Sequence, residues 1–282
     1  MERKKIAVVG VGLIGGSLAL QLNEKGLASR IIGVDNNEMH SKVAMELELV
    51  DEVMNLKEAI KSAEVIILAI PVDTIVKILP DILDQVDQQI IIDLGSTKSA
   101  LVHNVEGHPK RGRYVAAHPM WGTEYSGPEA AVKGAFENKA VILCNAADSD
   151  EDAVEWTRKM FSRIGMHLLE MDADDHDLHA AYVSHISHIT SFALANTVLE
   201  KEREEDAIFE MASAGFESTV RLAKSNPSMW VPVLMQNREN VLDVLNEHIS
   251  QLRKYKSCLE KENWEYLREL MEDANRIKRI LK

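Results

Sequence analysis

The chain has 282 residues, 46% hydrophobic and 27% charged, and its 32 Lys and Arg against 45 Asp and Glu give a formal net charge of -13. This is the composition of a soluble globular protein, long enough for one large domain or two smaller ones. The acidic excess excludes a nucleic-acid partner and requires any anionic substrate to be met by a local cation. Met1-Glu-Arg-Lys-Lys5 leads directly into a strand, leaving no room for a signal segment, and the longest apolar run, 65–72, is too short to span a bilayer. Two cysteines, Cys144 and Cys258, form no disulfide framework. A cytoplasmic location without membrane contact is expected, with Cys144 as an inert core thiol.

The first strand, Ile6–Val9, runs into Gly10-x-Gly12-x-x-Gly15, and a helix-compatible segment follows. A strand–turn–helix of this kind aims backbone N–H groups and the positive end of a helix dipole at a phosphate. Gly10 suits the tight turn, Gly12 the approach of a pyrophosphate and Gly15 close packing of helix on strand. Asp35 closes the second strand, 20 positions beyond Gly15. A carboxylate there accepts hydrogen bonds from a ribose diol and repels a 2′-phosphate, so NAD is expected rather than NADP.

Five further apolar runs, ending at Pro71, Asp93, His118, Cys144 and Glu170, alternate mostly with amphipathic spacers. Such runs suit strands buried on both faces and joined by right-handed crossovers, with ligands at the carboxyl edge where Pro71 stops its strand. Beyond residue 170 no β-like run recurs. The pattern predicts helices over 174–202, 204–212 and 218–224, a break at Asn226-Pro227, a long helix over 232–259 opened by Pro232, and a last helix over 262–281. The expected architecture is α/β: a Rossmann-type doubly wound dinucleotide-binding domain, residues 1–170, and an all-helical substrate and dimerisation domain, residues 171–282. Val241, Leu245, Leu252, Tyr255 and Leu259 form an approximate apolar stripe, which suits a homodimer through the helical half.

Three groups of residues carry candidate chemistry. Ser96, leaving a strand in Asp93-Leu-Gly-Ser-Thr-Lys98, suits a hydrogen bond to substrate or to an imidazole; helix capping by Ser96 or Thr97 explains the same residue types. His118, at a strand end and followed by Pro119, suits a proton acceptor over the cofactor edge. Four histidines, 176, 179, 185 and 188, fall within 13 residues. On one continuous α-helix with His176 at zero, the others lie near ~300°, ~180° and ~120°, spread over roughly 18 Å. A single metal site cannot collect them, so no metal is expected, and His185 and His188 are the candidates for facing a cleft. Arg221 offers a planar fork for a carboxylate, but a surface ion pair accounts for it equally well on the residues alone.

These motifs, taken together and in order, resemble the prephenate/arogenate dehydrogenase family of tyrosine biosynthesis. The matching stretches are Val9–Leu18, Leu68-Ala-Ile-Pro71, Asp93-x-Gly-Ser-x-Lys98, His118-Pro-Met-x-Gly-x-Glu124-x-x-Gly127, His176-Asp177, Val183-Ser-His185-x-x-His188 and Gly215-Phe-x-x-x-x-Arg221-x-Ala223. The resemblance implies NAD-dependent oxidative decarboxylation of prephenate to 4-hydroxyphenylpyruvate. In that scheme His118 takes the proton of the ring hydroxyl and Ser96 orients the imidazole and the nicotinamide. Arg221 clamps a substrate carboxylate, His188 lies nearby, and Glu124 gates or holds the polar side of the pocket. The cofactor contacts it implies are Gly10, Gly12, Leu13, Ile14, Gly15, Asp35, Ile70 and Pro71. Two positions depart from the family pattern: Glu217 stands where a basic residue is frequent, which opens arogenate as an alternative substrate, and Ala214 replaces a frequent glycine. An end at Lys282 leaves no room for the regulatory domain of some relatives, and no chorismate mutase segment is attached. Two rival readings are a hydroxy-acid or imine dehydrogenase and a non-catalytic NAD-binding sensor. The hydroxy-acid group carries a catalytic lysine that 171–200 lacks. A sensor has no need of Ser96, His118 and Arg221 together.

Overall fold

The computed structural model describes residues 2–202 and 208–280. The described residues fall into two compact units, the first ending at Asn237 and the second beginning at Arg238. The first opens with β1 (Lys4–Val9), α1 (Leu13–Glu24), β2 (Ala28–Val34), α2 (Glu38–Glu46), β3 (Glu52–Val53), α3 (Leu56–Ser62), β4 (Val65–Leu68) and α4 (Val72–Gln85). It continues through β5 (Ile90–Asp93), α5 (Ser99–Asn104), β6 (Tyr114–Pro119), β7 (Ala140–Cys144), α6 (Glu151–Ile164) and β8 (His167–Met171). These strands form one sheet in the order β3-β2-β1-β4-β5-β6-β7-β8.

Alternation of side chains along each strand divides the core into two layers. Ile6 and Val8 of β1 pack with Leu18 and Leu22 of α1 and Met160 and Phe161 of α6, whereas Ala7 and Val9 face Ile75, Leu79 and Leu83 of α4. Both faces of the central strands are dry, which is why their sequence reads as unbroken apolar runs. All strand pairs are parallel except β6–β7, which are joined without an α-helix and therefore meet antiparallel. The two-residue β3 was not expected, since Glu52-Val53 offers no apolar run to read.

The order reverses between β1 and β4, the switch point at which open α/β sheets bind ligands. The two strand ends approach so closely there that a Cβ at Gly10, whose φ is +90°, would meet Ala69 O at 2.4 Å. Ile70 and Pro71 follow at the same edge, as do the ends of β5 and β6 that lead to Ser96 and His118.

The remainder of the first unit is helical: α7 (Ala173–Ala180), a π-turn (Ala181–His185), α8 (Ile186–Glu202), α9 (Ala214–Val220), a 3₁₀ turn (Arg221–Lys224) and α10 (Pro227–Gln236). The second unit consists of α11 (Arg238–Glu260) and α12 (Trp264–Ala274), which pack on each other, and a 3₁₀ turn (Asn275–Arg279). No described helix is long and apolar enough to cross a membrane.

Several helical expectations need correction. The helix expected over 174–202 is interrupted by the π-turn. The segment over 204–212 lies partly outside the described residues, and Phe209–Met211 is a 3₁₀ turn. The helix expected over 218–224 begins earlier, at Ala214, and passes into 3₁₀ geometry at Arg221. Asn226-Pro227 starts a helix instead of only breaking one: the Asn226 side chain accepts from Ser228 N–H, and Pro227 takes a first-turn position that needs no N–H. Pro232 is therefore interior to α10, and the long helix starts at Arg238. The last helix ends in 3₁₀ geometry from Asn275, and residue 281 lies outside the described residues.

A Cβ at Gly15 would lie 1.9 Å from Gly10 O, with backbone and no flexible side chain to give way. Gly15→Val should therefore lower unfolding free energy by about 3 kcal/mol or more in a denaturant titration. Gly122→Ala, where a Cβ meets nothing within 4 Å, should leave the midpoint unchanged.

Candidate active site

The glycine turn has the form a dinucleotide requires. Helix α1 starts after Gly12 with no side chain capping its N-terminus, so its first N–H groups are free for an anion. A Cβ at Gly12 would find only Gly127 N, at 4.0 Å, so the space over the turn is open. Leu13 and Ile14 are half-buried beside it. The Asp35 carboxylate accepts Val11 N–H at 3.1 Å and Asn37 N–H at 2.9 Å, which fixes it at the end of β2 and leaves further lone pairs for a diol.

At the ends of β5 and β6 the structure assembles a chain of polar groups. His118 Nδ1 lies 2.8 Å from His176 Nε2, and His176 Nδ1 lies 2.8 Å from Asp177 Oδ1. Asp177 also accepts Lys98 N–H at 2.7 Å and Ser99 N–H at 3.1 Å. Asp177 thus caps α5 from another element, so neither Ser96 nor Thr97 does; Thr97 Oγ1 instead donates to Gln236 Oε1 at 2.6 Å. Among the described residues the Ser96 hydroxyl has no hydrogen bond, and His118 Nδ1 is occupied by His176.

The electrostatics follow from burial. Burial, with the neighbouring His176 and Lys98 adding to it, holds the His118 pKa well below 6.5. Burial alone would raise Asp177, but hydrogen bonds from His176, Lys98 N–H and Ser99 N–H outweigh it and keep the carboxyl below the usual range. Beneath His118, the fully buried Lys98 Nζ pairs with Asp93 and donates to Ala117 O at 2.8 Å, while Tyr114 Oη donates to Asp93 Oδ2 at 2.7 Å. Burial pushes the nearby Cys144 thiol up to about 12, as an inert core thiol requires.

The helical segments bring the remaining candidates. Arg221 Nη1 donates to Glu124 Oε2 at 2.9 Å, with side-chain exposures of 48% and 13%. His188 stacks on Trp230 of α10, ring centroids 3.4 Å apart. Burial and then the Arg221 charge depress its pKa, although a bond to Ser184 O opposes them. His185 is fully enclosed: Asn237 Nδ2 reaches its Nδ1 at 3.1 Å and Asp177 O at 2.6 Å, and burial lowers its pKa to about 4. It therefore does not face a cleft. The helical-wheel argument failed because the π-turn inserts a residue between His176 and His185, which brings both onto the Asp177 side. His176, Asp177, Lys98 and Trp230 were not among the expected site residues. The buried pair His176-Asp177 stood in the sequence only as a motif fragment.

Residues 18–170 match the family model for the prephenate dehydrogenase nucleotide-binding domain, and residues 172–273 match that for the prephenate dehydrogenase dimerization domain. The chain belongs to the prephenate dehydrogenase family. It is 31% identical over 266 residues to the prephenate dehydrogenase of Bacillus subtilis, covering 93% of this chain and 72% of that protein. Among solved structures, the prephenate dehydrogenase from A. aeolicus in complex with hydroxyphenyl propionate and NAD+ superimposes with a TM-score of 0.87. Its identity is 28%, and the match covers 99% of this chain and 98% of that one. Synechocystis arogenate dehydrogenase superimposes with a TM-score of 0.77 at 26% identity, covering 99% and 100%. The first family match begins after the glycine turn, which is identified here by its own geometry.

In a family member with this buried Lys98–Asp93 pair, removing the cation strands a charge in the core. Lys98→Met should cost about 3–5 kcal/mol in chemical denaturation. A loss below about 1 kcal/mol would mean that Gly95 N–H and Tyr114 Oη satisfy Asp93 without the cation.

Proposed function

We propose that this protein is an NAD-dependent prephenate dehydrogenase. It would convert prephenate to 4-hydroxyphenylpyruvate and CO2, a step of tyrosine biosynthesis. The observation that carries the reading is His118, held at the carboxyl edge of the sheet with Nδ1 engaged and Nε2 unpartnered among the described residues. The relatives' substrates and the NAD+ in the A. aeolicus structure support it. NAD seats with its pyrophosphate on the free N–H groups that follow Gly12, its adenosine ribose on Asp35, and its remaining contacts on Gly10, Leu13, Ile14, Gly15, Ile70 and Pro71.

When bound, NAD supplies the acceptor for the hydride that leaves the hydroxyl-bearing ring carbon. His118 Nε2 takes the hydroxyl proton as that hydride departs. The bond to the ring carboxylate then breaks and CO2 leaves. The electron pair of that bond completes the aromatic ring and returns to oxygen, where His118 gives its proton back. Ser96, with its hydroxyl free, positions the nicotinamide and the substrate oxygen. Arg221 exchanges Glu124 for a substrate carboxylate. That exchange is inexpensive because a half-exposed ion pair is worth only about 0–1 kcal/mol. His188, stacked on Trp230, borders the same cation.

Residues 171–282 form the substrate and dimerisation domain of a homodimer in this reading. Leu252, Leu259, Trp264 and Met271, exposed on α11 and α12 of the single chain, supply apolar surface for it. Arogenate is the second reading, and Glu217 favours it. This exposed carboxylate stands one helical turn before Arg221 and pairs with Lys224 at 3.4 Å, so a substrate ammonium could replace the lysine. A sensor without turnover would leave the free Nε2 of His118 without a use.

NADH formation from prephenate and from arogenate, each with NAD and with NADP, decides among these readings. Prephenate with NAD should give the highest kcat/KM, a preference for arogenate would transfer the assignment, and no NADH from either would remove it. A base must be neutral to act, and the depressed His118 pKa keeps it so. The rate should therefore be level on the alkaline side of 6.5 and fall only below it. His118→Asn should lower kcat by about 10²–10⁴-fold without changing NAD affinity measured by titration. Arg221→Ala should raise the substrate KM by roughly tenfold or more, consistent with loss of a charge-assisted bond. An effect confined to NAD would exclude the carboxylate role.

A further inference from the structure

We propose that His176 and Asp177 are positioning residues that set the tautomer of His118, so that its Nε2 presents a lone pair and its Nδ1 carries the hydrogen. The inference rests on the assignment of His118 as the base. It follows from counting donors and acceptors along the buried chain. Asp177 receives Lys98 N–H and Ser99 N–H, and those two bonds hold it as an acceptor-only carboxylate. The hydrogen between Asp177 Oδ1 and His176 Nδ1, 2.8 Å apart, must therefore come from His176. A neutral imidazole with hydrogen on Nδ1 has a bare Nε2, so the hydrogen in the 2.8 Å contact between the rings must come from His118 Nδ1. With His176 neutral each step leaves one arrangement, whereas an imidazolium there would donate from its Nε2 and make His118 Nδ1 the acceptor. The free ring nitrogen of His118 ends as an acceptor. The groups that adjoin the chain do not offer an alternative: Asn237 Nδ2 binds the Asp177 carbonyl and His185 Nδ1, and Lys98 Nζ is occupied by Asp93 and Ala117 O.

Lys98 N–H and His176 Nδ1 meet the same oxygen, Asp177 Oδ1, and Ser99 N–H meets Oδ2. Asp177→Ala removes the acceptor that His176 Nδ1 faces, so nothing fixes which His176 nitrogen carries the hydrogen. His118 is then released to both tautomers, and the form with hydrogen on Nε2 is disabled as a base. A merely structural carboxylate has no such effect on a ring two links away.

The test uses the full chain labelled with ¹⁵N-histidine and free of cofactor and substrate, with His118 resonances identified by their loss in His118→Asn. The unmodified protein should show protonated Nδ1 and unprotonated Nε2 at His118. Asp177→Ala should show hydrogen shared between Nδ1 and Nε2 of His118, with kcat lowered roughly tenfold or more and NAD affinity unchanged. His176→Gln retains an acceptor for His118 Nδ1–H and should keep at least tenfold more kcat than His176→Leu at equal thermal midpoint. A protonated Nε2 at His118 in the unmodified protein, an unprotonated Nε2 persisting in Asp177→Ala, or equal turnover of the two His176 variants would overturn the proposal. A released tautomer in Asp177→Ala with unimpaired turnover would leave the positioning role standing and overturn His118 as the base, so the two failures are distinct.

Discussion

A single buried carboxylate, Asp177, is the point on which the site depends. It comes from α7, in the helical part of the chain, yet two of its hydrogen bonds end on the backbone of the loop that leaves β5. Its third bond, to His176, extends to the imidazole at the end of β6. One charge therefore sets the spacing of three elements. Desolvating it is costly, and only the full set of N–H donors offsets that cost; hydrogen bonds to a charged group are worth about 1.5–3 kcal/mol each. The arrangement is consequently all-or-none: a helix displaced by an ångström would leave a buried charge unsatisfied.

A second buried charge, Lys98, acts on the same imidazole from below. Its pairing with Asp93 and its bond to Ala117 O place an ammonium under the strand that carries His118. The effect is to weaken the base, in the same direction as burial. A weak base is adequate when the proton becomes acidic only as the hydride leaves, because it need bind strongly only in the transition state. The lowered pKa also keeps it neutral near neutral pH. Under the proposed function, the contact of Nδ1 with His176 fixes the orientation of the ring at that moment, which a simple apolar pocket would not.

What could be read from the sequence follows the range of the interactions involved. The apolar runs of β1, β4, β5 and β6 are legible because burial on both faces leaves no polar alternation. Gly10 and Gly15 are legible because their steric demand is local to one turn. His118 is legible because it ends a strand. The contacts that organise it are not: Lys98 to Asp177 spans 79 positions, and His118 to His176 spans 58. The histidine geometry misled for a specific reason, since a wheel drawn at 100° per residue cannot register a π-turn at Ala181–His185. Pro232 misled because a proline marks a first turn only when a cap precedes it, and the cap here is Asn226.

The Arg221–Glu124 pair shows how an acidic protein can admit an anion. With a formal net charge of -13, the field of the whole chain repels a carboxylate. A bare cation in the site would attract some other counterion, and a deeply buried pair would resist opening. Glu124 is mostly covered and Arg221 half open, so the guanidinium is held in place while one of its edges remains in water. Its fork geometry gives a bidentate anion an advantage over the single contact made by Glu124. In the proposed role the cation is thus preorganised by a partner weak enough to be displaced, and displacement would return Glu124 to solvent on the loop that follows His118. Under the proposed function, binding of the anion and rearrangement next to His118 are then one event, which links recognition of the carboxylate to the residue proposed to take the proton.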